Sequence, residues 1–291
     1  MFKLFNVDTS IKSYDYASEI NAINFHNHNI YGSDVVIAII DTGCAEHDLL
    51  KNCIIGGKNF TSEGSEDDYT DYNGHGTHIA GIIAAAENNY FKSIAPNSKL
   101  LILKALDSNG QGSMQNILSA IKYAIDYKVD IINMSLGSTK GSEDLHNIIK
   151  EAINKNISVV CASGNSGDNN SDTDELDFPG SYEEVIEVGA MNINKNVSTF
   201  SNSNKYVDII APGENIMSTY LNNNFKSLTG TSMATPIISG SLALLLEYAK
   251  KEFKRRPSEK ELYSLLIKNT RSLHLDRTLQ GNGYIYLDLY K

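Results

Sequence analysis

The chain has no tryptophan, five prolines and three cysteines in 291 residues. Cysteines so few and odd in number exclude a disulfide framework and point to a reducing compartment. Cys44 and Cys53 alone cannot complete a zinc site. Basic charge is also scarce: 25 Lys and Arg against 35 Asp and Glu leave a net charge of −10 at pH 7. With no basic patch in any stretch, a general nucleic-acid partner is excluded. No segment approaches the roughly 18 consecutive apolar residues of a membrane span, so no membrane partner is expected. The first residues, MFKLFNVDTSIKSYDYASEI, show no basic start, apolar run and small-residue cleavage site. The expectation is therefore no secretory leader and a cytoplasmic location.

What the chain does have is a set of short apolar runs rich in Val and Ile. They are VVIAII (35–40), KLLILKAL (99–106), VDIINMSL (129–136), ISVVCAS (157–163), VIEVGAM (185–191) and YVDIIAPG (206–213). Near-continuous apolar runs are how strands buried on both faces of a parallel sheet read. Helical patterns lie between them at 78–88, 114–127 and 144–155. Two more follow, one over roughly 233–253 and one opened by the capping box Ser258-x-x-Glu261. The alternation predicts an α/β fold with a mostly parallel central sheet flanked by helices. No linker, repeat or low-complexity tract divides the chain. In such sheets ligands bind beyond the carboxyl ends of the strands.

Three stretches there carry candidate chemistry. Asp41 ends the apolar run in IIDTG, where a buried carboxylate needs a partner or a task; a strand-end turn is the plainer alternative. His75 stands between Gly74 and Gly76 at a predicted helix start, and a lone His is more often structural. Ser232, in GTSMATP ahead of an apolar helix, reads on its own first as a polar residue at a helix start. Together, an alcohol, a base and an orienting acid are what nucleophilic catalysis requires. His78, on the helix, is expected to be packed rather than catalytic.

IIDTG, NGHGTHIAG and GTSMATP, in that order, resemble the three signature segments of the subtilisin-like serine proteases. The resemblance covers roughly residues 20–291, which makes 20–291 the peptidase domain and 1–19 a short N-terminal extension. It is closest to the intracellular subtilisins, through DTGC, IIGGKNF, DYNGHGTH, TDELDFPGSY, FSNSN and VDIIAPGENIMSTY. It implies a three-layer subtilisin-like fold and an intracellular serine endopeptidase acting on peptides or proteins through an acyl-enzyme, with no catalytic cofactor. Asp41, His75 and Ser232 would be the triad, and Asn165 in CASGNSG would hold the oxyanion; alone, Asn165 reads as a turn residue. Substrate would bind as an added strand between 109–114, with Gly110, Gly112 and Met114, and 135–138. Met114 and Leu136 would line an apolar pocket upstream. Ser135, Leu136, Gly137, Ala162, Ser163 and Gly164 would wall the primary pocket.

The departures from the family pattern are informative. Asp177 falls where many relatives carry glycine or alanine at the base of the primary pocket. There it would favour Arg or Lys before the scissile bond; pointing to solvent or binding calcium is the alternative. Ile237-Ile238-Ser239-Gly240 replaces the usual His-Val-Ala-Gly, at helix positions outside the triad. Relatives often bind a structural calcium, for which Asp48 is one candidate and Asp172, Asp174 and Glu175 in the acidic loop are others. The extension resembles the inhibitory one of intracellular subtilisins, so FKLFNV is placed across the cleft. Such relatives are often dimers, so a homodimer is admitted as a partner state. An alternative role to general turnover is removal of a leader from a ribosomal, lanthipeptide-type precursor. A binding protein that merely kept the fold is disfavoured, because all four catalytic positions are filled.

Overall fold

A computed structural model describes residues 2–4, 7–8 and 15–289, with side chains described over 15–289. The first strands are β1 (Phe2–Leu4), β2 (Val7–Asp8), β3 (Val36–Asp41), β4 (Ile54–Asn59) and β5 (Lys99–Lys104). They are followed by β6 (Gln111–Gly112), β7 (Ile131–Met134), β8 (Leu136–Gly137), β9 (Ser158–Ala162) and β10 (Ile186–Met191). The last are β11 (Val207–Pro212), β12 (Ile216–Tyr220), β13 (Asn224–Thr229), β14 (Thr270–Arg271) and β15 (Tyr284–Ile285). Among the helices, α1 (Tyr16–Glu19) and α2 (Ala22–His26) precede the sheet, and α3 (His75–Ala84), α4 (Met114–Tyr127) and α5 (Glu143–Asn154) sit between its strands. The long α6 (Thr231–Phe253), then α7 (Glu259–Lys268) and α8 (Arg277–Gln280), complete the chain.

The central sheet has nine strands in the order β14-β15-β11-β10-β9-β7-β3-β5-β4. All its pairings are parallel except that between β14 and β15. All six apolar runs lie in it, and the layering explains why they do not alternate with polar residues. Along β3, Ile37 and Ile39 join the core under α3 and α6, whereas Ala38 and Ile40 join the core under α4 and α5. Both faces are covered, so every position before the terminal Asp41 is apolar. The edge strand β4 was not anticipated: its Ile-Ile-Gly-Gly run is half exposed and lacks the buried-strand composition.

α6 runs through the middle of one layer and is almost wholly buried. Its 23 residues match a membrane span in length and composition, contrary to the sequence expectation, but they are packed inside the protein. The capping box at the start of α7 forms as read: Ser258 Oγ accepts the Glu261 N–H and the Glu261 carboxylate accepts the Ser258 N–H. All three cysteines are free and buried. Burial pushes their thiols up, Cys53 to about 12, which keeps them inert.

Candidate active site

The carboxyl end of β3 delivers Asp41, fully buried. The Asp41 Oδ1 accepts the Thr42 N–H at 2.7 Å, and Thr42 Oγ1 in turn accepts the Gly76 N–H at 2.9 Å. The Asp41 turn is thus tied to the start of α3. Gly74 caps that helix at φ 100°, a left-handed conformation that favours glycine, and a Cβ there would strike the Tyr220 ring at 2.4 Å. His75 follows as the first helical residue. Its Nδ1–H donates to Asp41 Oδ1 at 2.8 Å and faces Oδ2 at 3.0 Å. This bond leaves Nε2 as the free ring nitrogen, buried and without a hydrogen-bond partner among the described residues.

Ser232 is the second residue of α6. Its Oγ–H donates to the Ser135 carbonyl at 3.0 Å rather than to His75. A reciprocal bond exists for a reason legible in the chain. Pro236 has no N–H for the carbonyl four residues earlier, which is that of Ser232. That carbonyl instead accepts the Ser135 Oγ–H at 3.0 Å. Ser135 is held in turn by Asn133, whose Oδ1 accepts the Ser239 Oγ–H at 2.8 Å. One of the departures in the serine motif, Ser239, is thus linked to Ser135 through Asn133.

Asn165 lies three residues past β9. Its Oδ1 accepts both the Thr231 N–H and the Thr231 Oγ1–H, each at 3.0 Å. With the oxygen so fixed, Nδ2 points away as a buried donor that has no partner among the described residues. The first N–H groups of α6, Ser232's among them, lie where a helix has no internal acceptors for them. Thr231 was not singled out in the sequence, where it reads as part of the serine motif. Lys104 was missed too: fully buried, it donates to the Thr42 carbonyl at 2.9 Å and pairs with Glu63 at 3.2 Å, holding the turn that carries Asp41. His78 is packed as expected. Its Nε2–H is shared by the Ile216 and Lys226 carbonyls, and burial lowers its pKa to about 3.

Gly112 (β6) and Leu136–Gly137 (β8) are one strand apart, and β1 fills the space between them as an antiparallel strand. The side chains of Met114 and Leu136 belong to one apolar cluster. Gly110 adopts φ 72° in the turn before β6. Asp177 is buried rather than solvent-facing, which removes one alternative. Its Oδ2 accepts the Asn202 Nδ2–H at 3.1 Å, and a Cβ on Gly164 would lie 2.4 Å from that oxygen. The carboxylate therefore lies against Gly164; Asn202 also donates to the Ser163 carbonyl at 2.8 Å, which follows Ala162 at the end of β9.

The calcium candidates do not gather into a metal site among the described residues. The Asp48 carboxylate pairs with Lys51 at 2.5 Å and accepts from Asn223 at 2.8 Å, so a calcium ligand would have to displace an ammonium. Glu175 accepts from Ser203, while Asp172 and Asp174 are exposed beside it. Among the described residues no three His, Cys, Asp or Glu side chains gather to hold a metal.

The family model described as "Subtilase family" matches residues 32–284. The chain is 48% identical over 263 residues to the "Major intracellular serine protease" of Bacillus subtilis (strain 168), covering 89% of this chain and 82% of that one. It is 49% identical over 260 residues to an "Intracellular serine protease" of Paenibacillus polymyxa, covering 88% and 80%. To "Subtilisin DY" of Bacillus licheniformis it is 43% identical over 217 residues, covering 74% and 77%.

Proposed function

The chain belongs to the subtilase family and is a serine endopeptidase, and we propose that it cuts peptide bonds inside the cell through an acyl-enzyme built by Ser232, His75, Asp41 and Asn165. The observation that carries this assignment is the buried Asp41–His75 bond, which leaves the His75 Nε2 free as a base. In the reaction Ser232 Oγ turns from the Ser135 carbonyl to Nε2 and attacks the scissile carbonyl as His75 takes its proton. Asp41 holds the tautomer and stabilises the imidazolium. The oxyanion receives hydrogen bonds from Asn165 Nδ2 and the Ser232 N–H. His75 then protonates the leaving amine, and water repeats the sequence on the ester. The names of the two intracellular relatives support the location.

We further assign Asp177 to the floor of the primary pocket, as a selector for Arg or Lys before the scissile bond. Its burial against Gly164 and Asn202 supports this. A charge-assisted hydrogen bond contributes about 1.5–3 kcal/mol, so kcat/KM is expected to be about 10- to 100-fold higher for Arg than for Phe in matched peptides. The preference should disappear in Asp177→Gly. Equal cleavage of Arg, Phe and Leu peptides would refute the assignment. Strict dependence on a basic residue would favour the second role, dedicated precursor processing, over general turnover.

The N-terminal extension is read as an inhibitory occupant of the cleft. Phe2–Leu4 pairs antiparallel with both β6 and β8, and Val7–Asp8 pairs with Leu228–Thr229, three residues before Ser232. Phe5 and Asn6, the middle of FKLFNV, lie outside the described residues. Tyr16 and Ala17 are buried in the core, so a truncation should stop short of them. Removing residues 1–14 is expected to raise kcat/KM at least tenfold, mainly through KM, and unchanged kinetics would refute the reading.

A further inference from the structure

Beneath the Asp177 turn lies a second carboxyl. Glu187, on β10, is fully buried. Its Oε1 accepts the Asn204 Nδ2–H at 3.2 Å and the Ser181 Oγ–H at 3.3 Å, whereas Oε2 is buried without a hydrogen-bond partner among the described residues. The turn that presents Asp177 rests on this group. Ser181 N–H donates to the Asp177 carbonyl at 3.0 Å, and a Cβ on Gly180 would come within 3.2 Å of Glu187 Oε1 and 2.7 Å of the Ala162 carbonyl. One segment braces both acids: Asn202 donates to Asp177 and Asn204 to Glu187.

The groups facing Glu187 are acidic or neutral. From β11 comes Asp208, whose Oδ2 accepts the Glu187 N–H at 2.9 Å and whose Oδ1 accepts the Tyr263 hydroxyl at 2.6 Å. From β9 comes the Cys161 thiol, and from the turn above comes Asp177. Arg277 and Glu259 act on the Asp208–Tyr263 pair behind it. Burial, with Asp208 and Asp177 adding repulsion, pushes the Glu187 carboxyl up to about 8. It is thus neutral through most of the physiological range.

We propose that Glu187 is a positioning residue of the primary pocket, a neutral carboxyl that releases its proton to solvent when a guanidinium or ammonium enters above it, giving the pocket a second negative charge only when a cation is present. This rests on the assignment of Asp177 to the pocket floor. An incoming cation favours the charged form of a nearby carboxyl and lowers its pKa. By linkage, cation binding is weakest where Glu187 is protonated in both states. Affinity rises with pH through the occupied-state pKa and levels off above the free-state value near 8. Asp177 sets which side chain is taken; Glu187 sets how strongly that choice depends on pH.

The test is the inhibition constant of benzamidine, a cation across this range, against cleavage of an Arg peptide by the full chain from pH 6 to 9. Closure of the cleft by the extension weakens apparent binding by the open fraction in wild type and variant alike, so the two pH profiles are read against each other. Wild type is expected to bind about tenfold tighter at pH 9 than at pH 6, and Glu187→Gln, which keeps the shape and the Asn204 contact, to show a flat profile with its Arg preference retained. Parallel profiles would overturn the proposal while leaving Asp177 in place. Arg peptides cleaved no faster than Phe peptides, with no inhibition by benzamidine, would overturn the Asp177 assignment and this one with it. Should Glu187→Gln fold poorly, calorimetry on wild type in two buffers of different ionisation enthalpy gives the proton count directly. A fractional proton released on benzamidine binding near pH 7.5 supports the proposal, and none refutes it.

Discussion

Ser232→Ala is expected to lower kcat by about 10⁶-fold, a magnitude known for the corresponding serine in this family, and to abolish labelling by a fluorophosphonate. The fold should survive. The hydroxyl makes one hydrogen bond, to the Ser135 carbonyl, and loss of such a bond costs about 1 kcal/mol. Replacing His75 in addition should lower kcat little further, because base and nucleophile act as a unit. Asp41→Asn should cost about 10⁴-fold: an amide facing His75 Nδ1 favours the wrong tautomer and leaves the imidazolium unpaired. Retention of a few per cent of activity by Ser232→Ala, with the variant verified by mass spectrometry and melting as a folded protein, would remove Ser232 from the mechanism.

Asn165→Leu is expected to lower kcat by about 10²–10³-fold with little change in KM, again a magnitude established for this asparagine's counterpart. The effect should fall on kcat because the oxyanion, not the ground-state carbonyl, is what Nδ2 would meet. The orientation of the amide rests on Thr231, which donates twice to its oxygen. Thr231→Val keeps the backbone donor and removes the hydroxyl, so its loss should be about tenfold. An Asn165→Leu enzyme with raised KM and unaltered kcat would mean that the side chain binds substrate rather than the transition state. Parallel kcat and KM measurements on one Arg peptide, for both variants, separate these outcomes.

The two experiments probe different stages of the site. The Asp41–His75 pair is already in place, at 2.8 Å, while the serine hydroxyl is parked on Ser135. Catalytic hydrogen bonds are often long in the absence of substrate and tighten only when it arrives. Ser135, whose carbonyl holds the hydroxyl, directly precedes β8, with which β1 pairs.

The sequence by itself determined six of the nine strands of the central sheet. Six apolar runs without alternation require strands covered on both faces, and each became one. Asp41 could be placed at a strand end and His75 and Ser232 at helix starts from local signals, as could the capping box at Ser258, but the roles expected of the three came only from the resemblance of their motifs to a known family. Only the tertiary structure decided which way the side chains face. That Asn165 offers its nitrogen, and not its oxygen, depends on Thr231, 66 positions away. That Asp177 is buried against Gly164 depends on Asn202, and the Asp48 carboxylate is held by Lys51 and Asn223. Glu187 read as one polar residue in an apolar strand; nothing in its neighbours along the chain shows that Asp177 and Asp208 face it. Periodicity and propensity report on residues a few positions apart, whereas hydrogen-bond partners and the charge around a buried carboxyl are set by segments that meet only after the chain has folded.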